Sequence, residues 1–241
     1  MATFVLVPGA WHGGWCYRDT AKALRTQGHT VFTPTLSGNG ERNHQNHEGI
    51  TLETHIRDVI GVFTAEELSD VVLLGHSYGG MVITGVADRI PEKIKQLIYL
   101  DAFVPENGDT LSGLLDKALP KDIADVFHGA FYGSAGADNS QLMAPIPAAM
   151  FGIKLENQAW VDRRCNAQAL ATFEVPLLLS GKGANLPKHF LLADAWDPSP
   201  FRYFAAKLAG QPQWTQSKLP SSHDVMVDMP HELATEIVRF A

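Results

Sequence analysis

Gly75-His76-Ser77-Tyr78-Gly79 constrains this chain more than any other stretch. It reads G-x-S-x-G, and its flanks give it meaning. Val71-Val72-Leu73-Leu74 before it is a continuous apolar run, the mark of a strand buried on both faces. Gly80 to Ala87 after it reads as the start of a buried helix, with small residues where strand and helix must pack closely. Strand, tight turn and helix in that order form a nucleophile elbow, whose strained turn pushes the serine hydroxyl out above a sheet. Without those flanks the pentapeptide would be an ordinary Gly/Ser turn between two core elements.

The rest of the first half alternates in the same way. Thr3 to Val7 reads as a strand, Tyr17 to Gln27 as a helix closed by Gly28, and His29 to Thr33 as a strand stopped by Pro34. Residues 36–50 are rich in Gly, Asn and His and form a loop, Thr51 caps a helix running to Glu67, and Lys95 to Leu100 is the next strand. This alternation predicts an α/β fold, a mostly parallel sheet flanked by helices. From about Phe103 to Thr172 the pattern changes. Helices are expected over Leu111–Leu119, Lys121–His128 and Gln158–Ala171, and no strong strand is visible. Residues 103–174 therefore read as a mostly helical cap insertion, and residues 1–102 and 175–241 as the core. The core resumes with strands at Val175–Ser180, His189–Ala193 and Trp214–Leu219 and closes on a helix over Pro230–Phe240. No internal repeat or low-complexity tract interrupts it.

The bulk numbers narrow the partners. A length of 241 residues, 45% of them hydrophobic, suffices for one large core. A net charge of −7 argues against a polyanionic partner such as nucleic acid. Cys16 and Cys165 are too few for a disulfide framework or a cysteine zinc site. No basic leader, cleavage site or long apolar run is visible, so a cytoplasmic protein without a membrane span is expected.

A serine hydroxyl needs a base within hydrogen-bond reach and an acid that orients the base. Behind an elbow of this kind the chain order is serine, acid, histidine. Of the ten histidines, His223 fits best, in the turn between the strand at 214–219 and the last helix. The acid belongs after the strand near 189–193, where Asp197 stands before a Pro-Ser-Pro turn and Asp194 is the alternative. Asp101, after the strand Ile98-Tyr99-Leu100, is expected at the same edge, where it lines the substrate pocket or caps the following loop. Two backbone donors should receive the oxyanion. One is the N–H of Tyr78, the residue after the nucleophile. The other is the N–H of Ala10 in the glycine-rich loop Pro8-Gly9-Ala10-Trp11-His12-Gly13-Gly14, with Trp11 beside the substrate.

The stretches 4–15, with Gly28-His29 and Gly75 to Gly80, resemble the α/β-hydrolase superfamily. They are most similar to its branch of plant methylesterases, hydroxynitrile lyases and bacterial esterase relatives. His223-Asp224-Val225-Met226 before an acidic helix fits the bacterial relatives. The resemblance covers residues 1–102 and about 175–241 and is weak in the cap. It implies a cofactor-free serine hydrolase acting on small-molecule esters, with Ser77 and His223 in the triad and Ala10 and Tyr78 in the oxyanion hole. It allows a homodimer.

Three positions depart from the pattern. Pro8 stands where many members carry histidine. Asp224 and Ala10 replace the lysine and threonine of the lyases, and an anionic Asp224 would repel cyanide. The acid segment aligns in more than one way. Lactone, amide, thioester or C–C bond hydrolysis can run on the same triad, and a binding protein can keep the fold without turnover.

The remaining features have plainer readings. His44 and His47, with Glu41 and Glu48, read as a polar loop rather than a metal site. His12 beside the oxyanion loop either touches substrate or makes a structural hydrogen bond. Arg163-Arg164 reads as a solvated face. Trp11, Trp160, Trp196 and Phe131 are expected to wall an apolar pocket under the cap.

Overall fold

The apolar runs of the sequence become strands of one sheet in a computed structural model of the chain, which describes residues 1–45, 47–136 and 141–241. In chain order, β1 (Thr3–Val7), α1 (Arg18–Thr26), β2 (Thr30–Phe32), α2 (Leu52–Ala65), β3 (Val71–Ser77), α3 (Gly79–Arg89) and β4 (Ile94–Ala102) form the first half. Then come α4 (Leu111–Ala118), α5 (Lys121–Gly136), β5 (Leu142–Met143), α6 (Leu155–Asp162), β6 (Gln168–Ala169) and α7 (Ala171–Glu174). The chain ends with β7 (Lys188–Ala193), α8 (Phe201–Leu208), β8 (Trp214–Leu219), α9 (Val225–Asp228) and α10 (Pro230–Val238). The sheet order is β2-β1-β3-β4-β7-β8 with every neighbouring pair parallel, while β5 and β6 form a separate antiparallel ladder.

Parallel strands need both faces covered, which explains why β1, β3 and β4 are apolar almost throughout. The chain moves outward from β1 to β2 and then back past β1 to β3, so right-handed crossovers place α1 and α2 on opposite faces. α1 packs against α10, and α2 against α3. The reversal also makes the C-terminal ends of β1 and β3 a topological switch point, the place where an open α/β sheet leaves a crevice.

Two expected elements differ. No strand forms over Val175–Ser180, and the slot beside β4 is taken by β7. The backbone of that segment is satisfied elsewhere. Leu177 exchanges hydrogen bonds with Gly108 and Asp109, and the Asp88 carboxylate accepts from the N–H groups of Ser180, Gly181 and Lys182. Nor is there one helix over Gln158–Ala171. α6 starts earlier, at Leu155, and ends at Asp162, and the β6 ladder intervenes before α7. The 36–50 loop holds only a short 3₁₀ turn at Gly40–Arg42, with Asn46 outside the described residues. Among the described residues no helix is long and apolar enough to cross a membrane.

The elbow depends on backbone contact without side chains. A Cβ on Gly75 would sit 2.4 Å from the carbonyl oxygen of Gly79, and one on Gly80 would sit 2.1 Å from that of Phe103. Both neighbours are backbone and cannot rotate away. Gly80→Ala is therefore expected to destabilise the protein by about 3 kcal/mol, the upper end of overpacking costs. A lower urea midpoint at unchanged slope would register it, and a wild-type midpoint would refute it.

Candidate active site

Ser77 ends β3 with a φ of 53°, the strained backbone expected of an elbow nucleophile. It faces a cavity that Ala10, Trp11, Tyr78 and His223 also line. The remaining walls are aromatic and aliphatic, among them Phe103, Phe131, Phe151, Phe173, Trp196 and Phe201, and among the described residues the lining holds no Asp, Glu, Lys or Arg. The space is tight, about 40 Å³. A larger cleft of about 400 Å³ between α3, β7 and α8 includes Asp88, Lys188 and Trp214 but no nucleophile–base pair.

His223 lies between β8 and α9 and is 3% exposed. Its ring stacks on Phe201, with centroids 5.0 Å apart and planes at 8°, and Trp196, Phe151 and His76 crowd the other sides. Its backbone is held from two directions. The N–H of His223 donates to the Phe151 carbonyl at 3.1 Å, and its own carbonyl meets His76 Nε2 at 3.0 Å. The latter contact requires the proton on His76 Nε2. Burial and the neighbouring His223 lower His76 to about 3, so it stays neutral.

The carboxylate that meets His223 is Asp101, not Asp197 or Asp194. Asp101 Oδ2 meets His223 Nδ1 at 2.7 Å and also accepts from Trp196 Nε1 at 2.9 Å, while Oδ1 accepts from the N–H of Ala193 at 3.1 Å. Its side chain is fully buried and lies outside the cavity lining, where the sequence placed it, and its oxygens accept from Ala193 and Trp196 rather than from the loop that follows β4. A slip in the ladder puts it there. Leu100 pairs with His76 and Ala102 with Ser77, leaving Asp101 as the extra residue, at a φ of 42°. Such a bulge re-aims a side chain that a regular strand would send elsewhere. Asp197 is instead a surface residue bonded to Arg202, and Asp194 is held by Arg202 and Lys218.

Burial lowers His223 to about 4 and raises Asp101 to about 7, the latter against hydrogen bonds from Trp196 and Ala193 that favour its charged form. The resting imidazole is thus neutral and can accept a proton, with Nδ1–H committed to Asp101 and Nε2 left for the nucleophile.

The two oxyanion candidates stand apart from their neighbours. Tyr78 immediately precedes α3, where backbone N–H groups lack an intrahelical acceptor. Its phenol is turned into the core, bonded to His55 Nδ1 at 2.8 Å, so only its amide is available to the site. In the other loop the Trp11 N–H is spent on Gln168 Oε1 at 2.8 Å, and Ala10 stays the candidate there. The Trp11 indole lies among Phe131, Phe151 and Phe173.

Other expectations fall away from the cavity. Trp160 does not wall it but meets Trp15 edge-on, with the guanidinium groups of Arg18 and Arg164 over its ring. Asp224 is buried and paired with His12 at 3.0 Å, so its charge is compensated and not presented to substrate. Near the 41–48 loop, His44 bonds the Glu41 carbonyl and Glu41 bonds Thr35. Among the described residues the one cluster of metal-ligating type is His76, His223 and Asp224, in which His76 Nε2, His223 Nδ1 and Asp224 Oδ2 are already engaged by the hydrogen bonds above.

A serine on a strained strand–helix turn, at the switch point of a parallel sheet and facing a histidine that a buried carboxylate holds, defines an α/β hydrolase. The profile of the alpha/beta hydrolase family matches residues 4–236, and the chain belongs to that family. It is 60% identical over 238 residues to the carbendazim hydrolyzing esterase of Nocardioides sp. (strain SG-4G), spanning 98% of both proteins. Methylesterase 1 of Arabidopsis thaliana is 32% identical over 141 residues, 58% of this chain and 54% of that protein. Among solved structures, an extracellular alpha/beta-hydrolase from a Paenibacillus species, described as sharing structural and functional homology with tobacco salicylic acid binding protein 2, covers 100% of this chain and 99% of its own. Its TM-score is 0.80 at 26% identity.

Asp101→Asn is expected to lower kcat by about 10⁴, because the imidazole loses its orienting carboxylate, whereas Asp197→Asn should keep wild-type turnover. Steady-state kinetics of the two variants decide between the acids. The acid limb of kcat/KM should have its midpoint between about 4 and about 7 and belong to the His223–Asp101 pair jointly. Trp196→Phe removes a donor to the charged carboxylate, so Asp101 rises and the limb moves to higher pH. A limb that stays in place would count against the pairing.

Proposed function

We propose that this chain is a serine esterase that cleaves the ester or carbamate of a flat, neutral, aromatic small molecule through an acyl-enzyme. The reading rests on one arrangement, Ser77 and His223 facing a shared aromatic cavity with Asp101 bonded to His223 at 2.7 Å. Ser77 Oγ attacks the acyl carbonyl as His223 Nε2 takes its proton, and the carbonyl oxygen becomes an oxyanion held by the N–H groups of Ala10 and Tyr78. The tetrahedral species collapses, the bond to the leaving alkoxide breaks, and His223 returns the proton to release an alcohol. Water, deprotonated by the same imidazole, then attacks the acyl-enzyme and frees the acid and Ser77. Each turnover consumes one ester and one water, and no cofactor enters. Residues 103–174 act as the cap, supplying Leu111, Phe127, Phe131, Ile146, Phe151 and Phe173 to the cavity roof.

The lining favours the substrate class. Aromatic walls in which no described residue is an Asp, Glu, Lys or Arg favour a planar apolar body and disfavour an ionised one, whose desolvation would go unpaid. Carbendazim, a methyl carbamate on a benzimidazole, has this shape and polarity, and the 60% identical relative is named for hydrolysing it. Hydrolysis of its ester bond gives methanol and a carbamic acid, which loses carbon dioxide to leave the amine.

Purified protein is expected to convert carbendazim to 2-aminobenzimidazole, followed by chromatography, and Ser77→Ala to lower kcat by roughly 10⁴ to 10⁶. Ser77 labelled by a fluorophosphonate without carbendazim turnover would keep the nucleophile and reject this substrate. Equal turnover by Ser77→Ala would reject the mechanism.

A further inference from the structure

The peptide that joins Ala10 to Trp11 is held on both of its polar atoms. Its carbonyl oxygen meets His12 Nδ1 at 2.7 Å, and its N–H donates to Gln168 Oε1 at 2.8 Å. Each partner is fixed in turn. His12 Nε2 meets Asp224 Oδ2 at 3.0 Å, with Cys165 Sγ 3.7 Å away. Gln168 Oε1 also accepts from Asn39 Nδ2 at 3.1 Å, and its Nε2 donates to Thr172 Oγ1 at 2.8 Å. Two acceptors on one imidazole require protons on both nitrogens. Burial opposes that charge, but the Cys165 sulfur and the Asp224 carboxylate overcome it and hold His12 well above 6.5.

These side chains are buried, at 3% exposure for His12, 1% for Gln168 and 0% for Asp224, and none lines the cavity. A buried ion pair or amide contributes little net stability compared with apolar residues of the same volume. What the arrangement supplies is geometry. Trp11 sits at a φ of 64°, which a tryptophan adopts only when its surroundings impose it. The two tethers come from opposite directions. Asp224 adjoins the base His223, and Gln168 sits on β6 between α6 and α7.

We infer that Gln168 and the His12–Asp224 pair are positioning residues that clamp the Ala10–Trp11 peptide from both sides and so aim the Ala10 N–H at the oxyanion. The inference rests on the esterase reading above. The Ala10 N–H belongs to the preceding Gly9–Ala10 peptide, which shares the Ala10 Cα with the clamped one. With the clamp intact that Cα is fixed and the donor is pre-aligned. With one tether gone the Ala10–Trp11 plane can turn, Ala10 shifts, and the transition state loses a donor that the bound ester never needed. A placement error of about 1 Å costs on the order of 100-fold.

Gln168→Leu and Gln168→Glu, with wild type and Ser77→Ala alongside, test it. The readouts are kcat and KM on p-nitrophenyl acetate, the inhibition constant of phenyl trifluoromethyl ketone, whose serine adduct carries the oxyanion, and the thermal midpoint. Gln168→Leu is expected to lower kcat by about 10- to 100-fold with KM within about threefold, and to weaken the ketone by a similar factor. Gln168→Glu, which keeps the acceptor for Trp11, should recover most of the loss. Should Gln168→Leu not fold, His12→Gln reads the other tether by the same signature. Folded Gln168→Leu with wild-type kcat and ketone affinity overturns the clamp alone. So does a fall in kcat that the ketone affinity does not follow. A wild type that neither hydrolyses the ester nor binds the ketone overturns the esterase reading and the clamp together.

Discussion

Three adjacent segments of this fold end in strained backbone. Trp11 follows β1, Ser77 closes β3 and Asp101 bulges from β4, with φ angles of 64°, 53° and 42°. None is glycine, so each is held there by what surrounds it. Ser77 is held by the contact of α3 with the ends of β1 and β4, which only glycines at positions 75, 79 and 80 permit. Asp101 is held by three donors, and Trp11 by its amide and indole bonds to Gln168 and to the Met143 carbonyl. The parallel sheet places the three ends side by side. The helices, the ladder and the long segment between β4 and β7 either build that alignment or cover it.

Much of this was legible in the chain itself. The strands around Ser77 are apolar on both faces, so their run lengths identify them directly, and the glycines of the elbow and of the loop after β1 mark where backbone must approach backbone. His223 could be placed because a turn between a strand and the last helix has one natural destination. Asp101 was not legible as the carboxylate that meets His223, because that contact depends on a one-residue slip between β4 and β3 that leaves no mark in composition. Without the bulge it reads as one more residue of a buried strand. The signal that could have found it is Trp196, an indole donor in the segment after β7 between Asp194 and Asp197, which bonds Asp101.

The segment between β4 and β7 was harder for a different reason. Its elements are short, and its side chains answer to a cavity rather than to a sheet. Val175–Ser180 is apolar enough for a strand, yet Leu178 is largely exposed and the backbone is satisfied by Asp109 and Asp88. Local β propensity was overruled by a carboxylate at the end of α3 that caps three consecutive N–H groups. Such a partner lies 92 residues or more away in sequence, and no periodicity announces it.

The site uses one chemical pair twice, in opposite states. His223 and Asp224 are neighbours in the chain, and each belongs to a different imidazole–carboxylate contact, His223 with Asp101 and Asp224 with His12. The surroundings drive the two histidines apart. His223 is packed among aromatic rings, and its burial, with the charge on His12, outweighs the nearby Asp224 carboxylate, so the base rests neutral. His12 faces Asp224, whose carboxyl is held far below the usual range despite burial by the charge and hydrogen bond of His12 itself, and the ion pair survives. One imidazole is thereby free to change its proton during turnover, and the other is committed to both of its protons as a fixed strut. Separating titratable groups in this way is how a buried site assigns one role to chemistry and another to support. Here the assignment is made by two successive residues of a single turn.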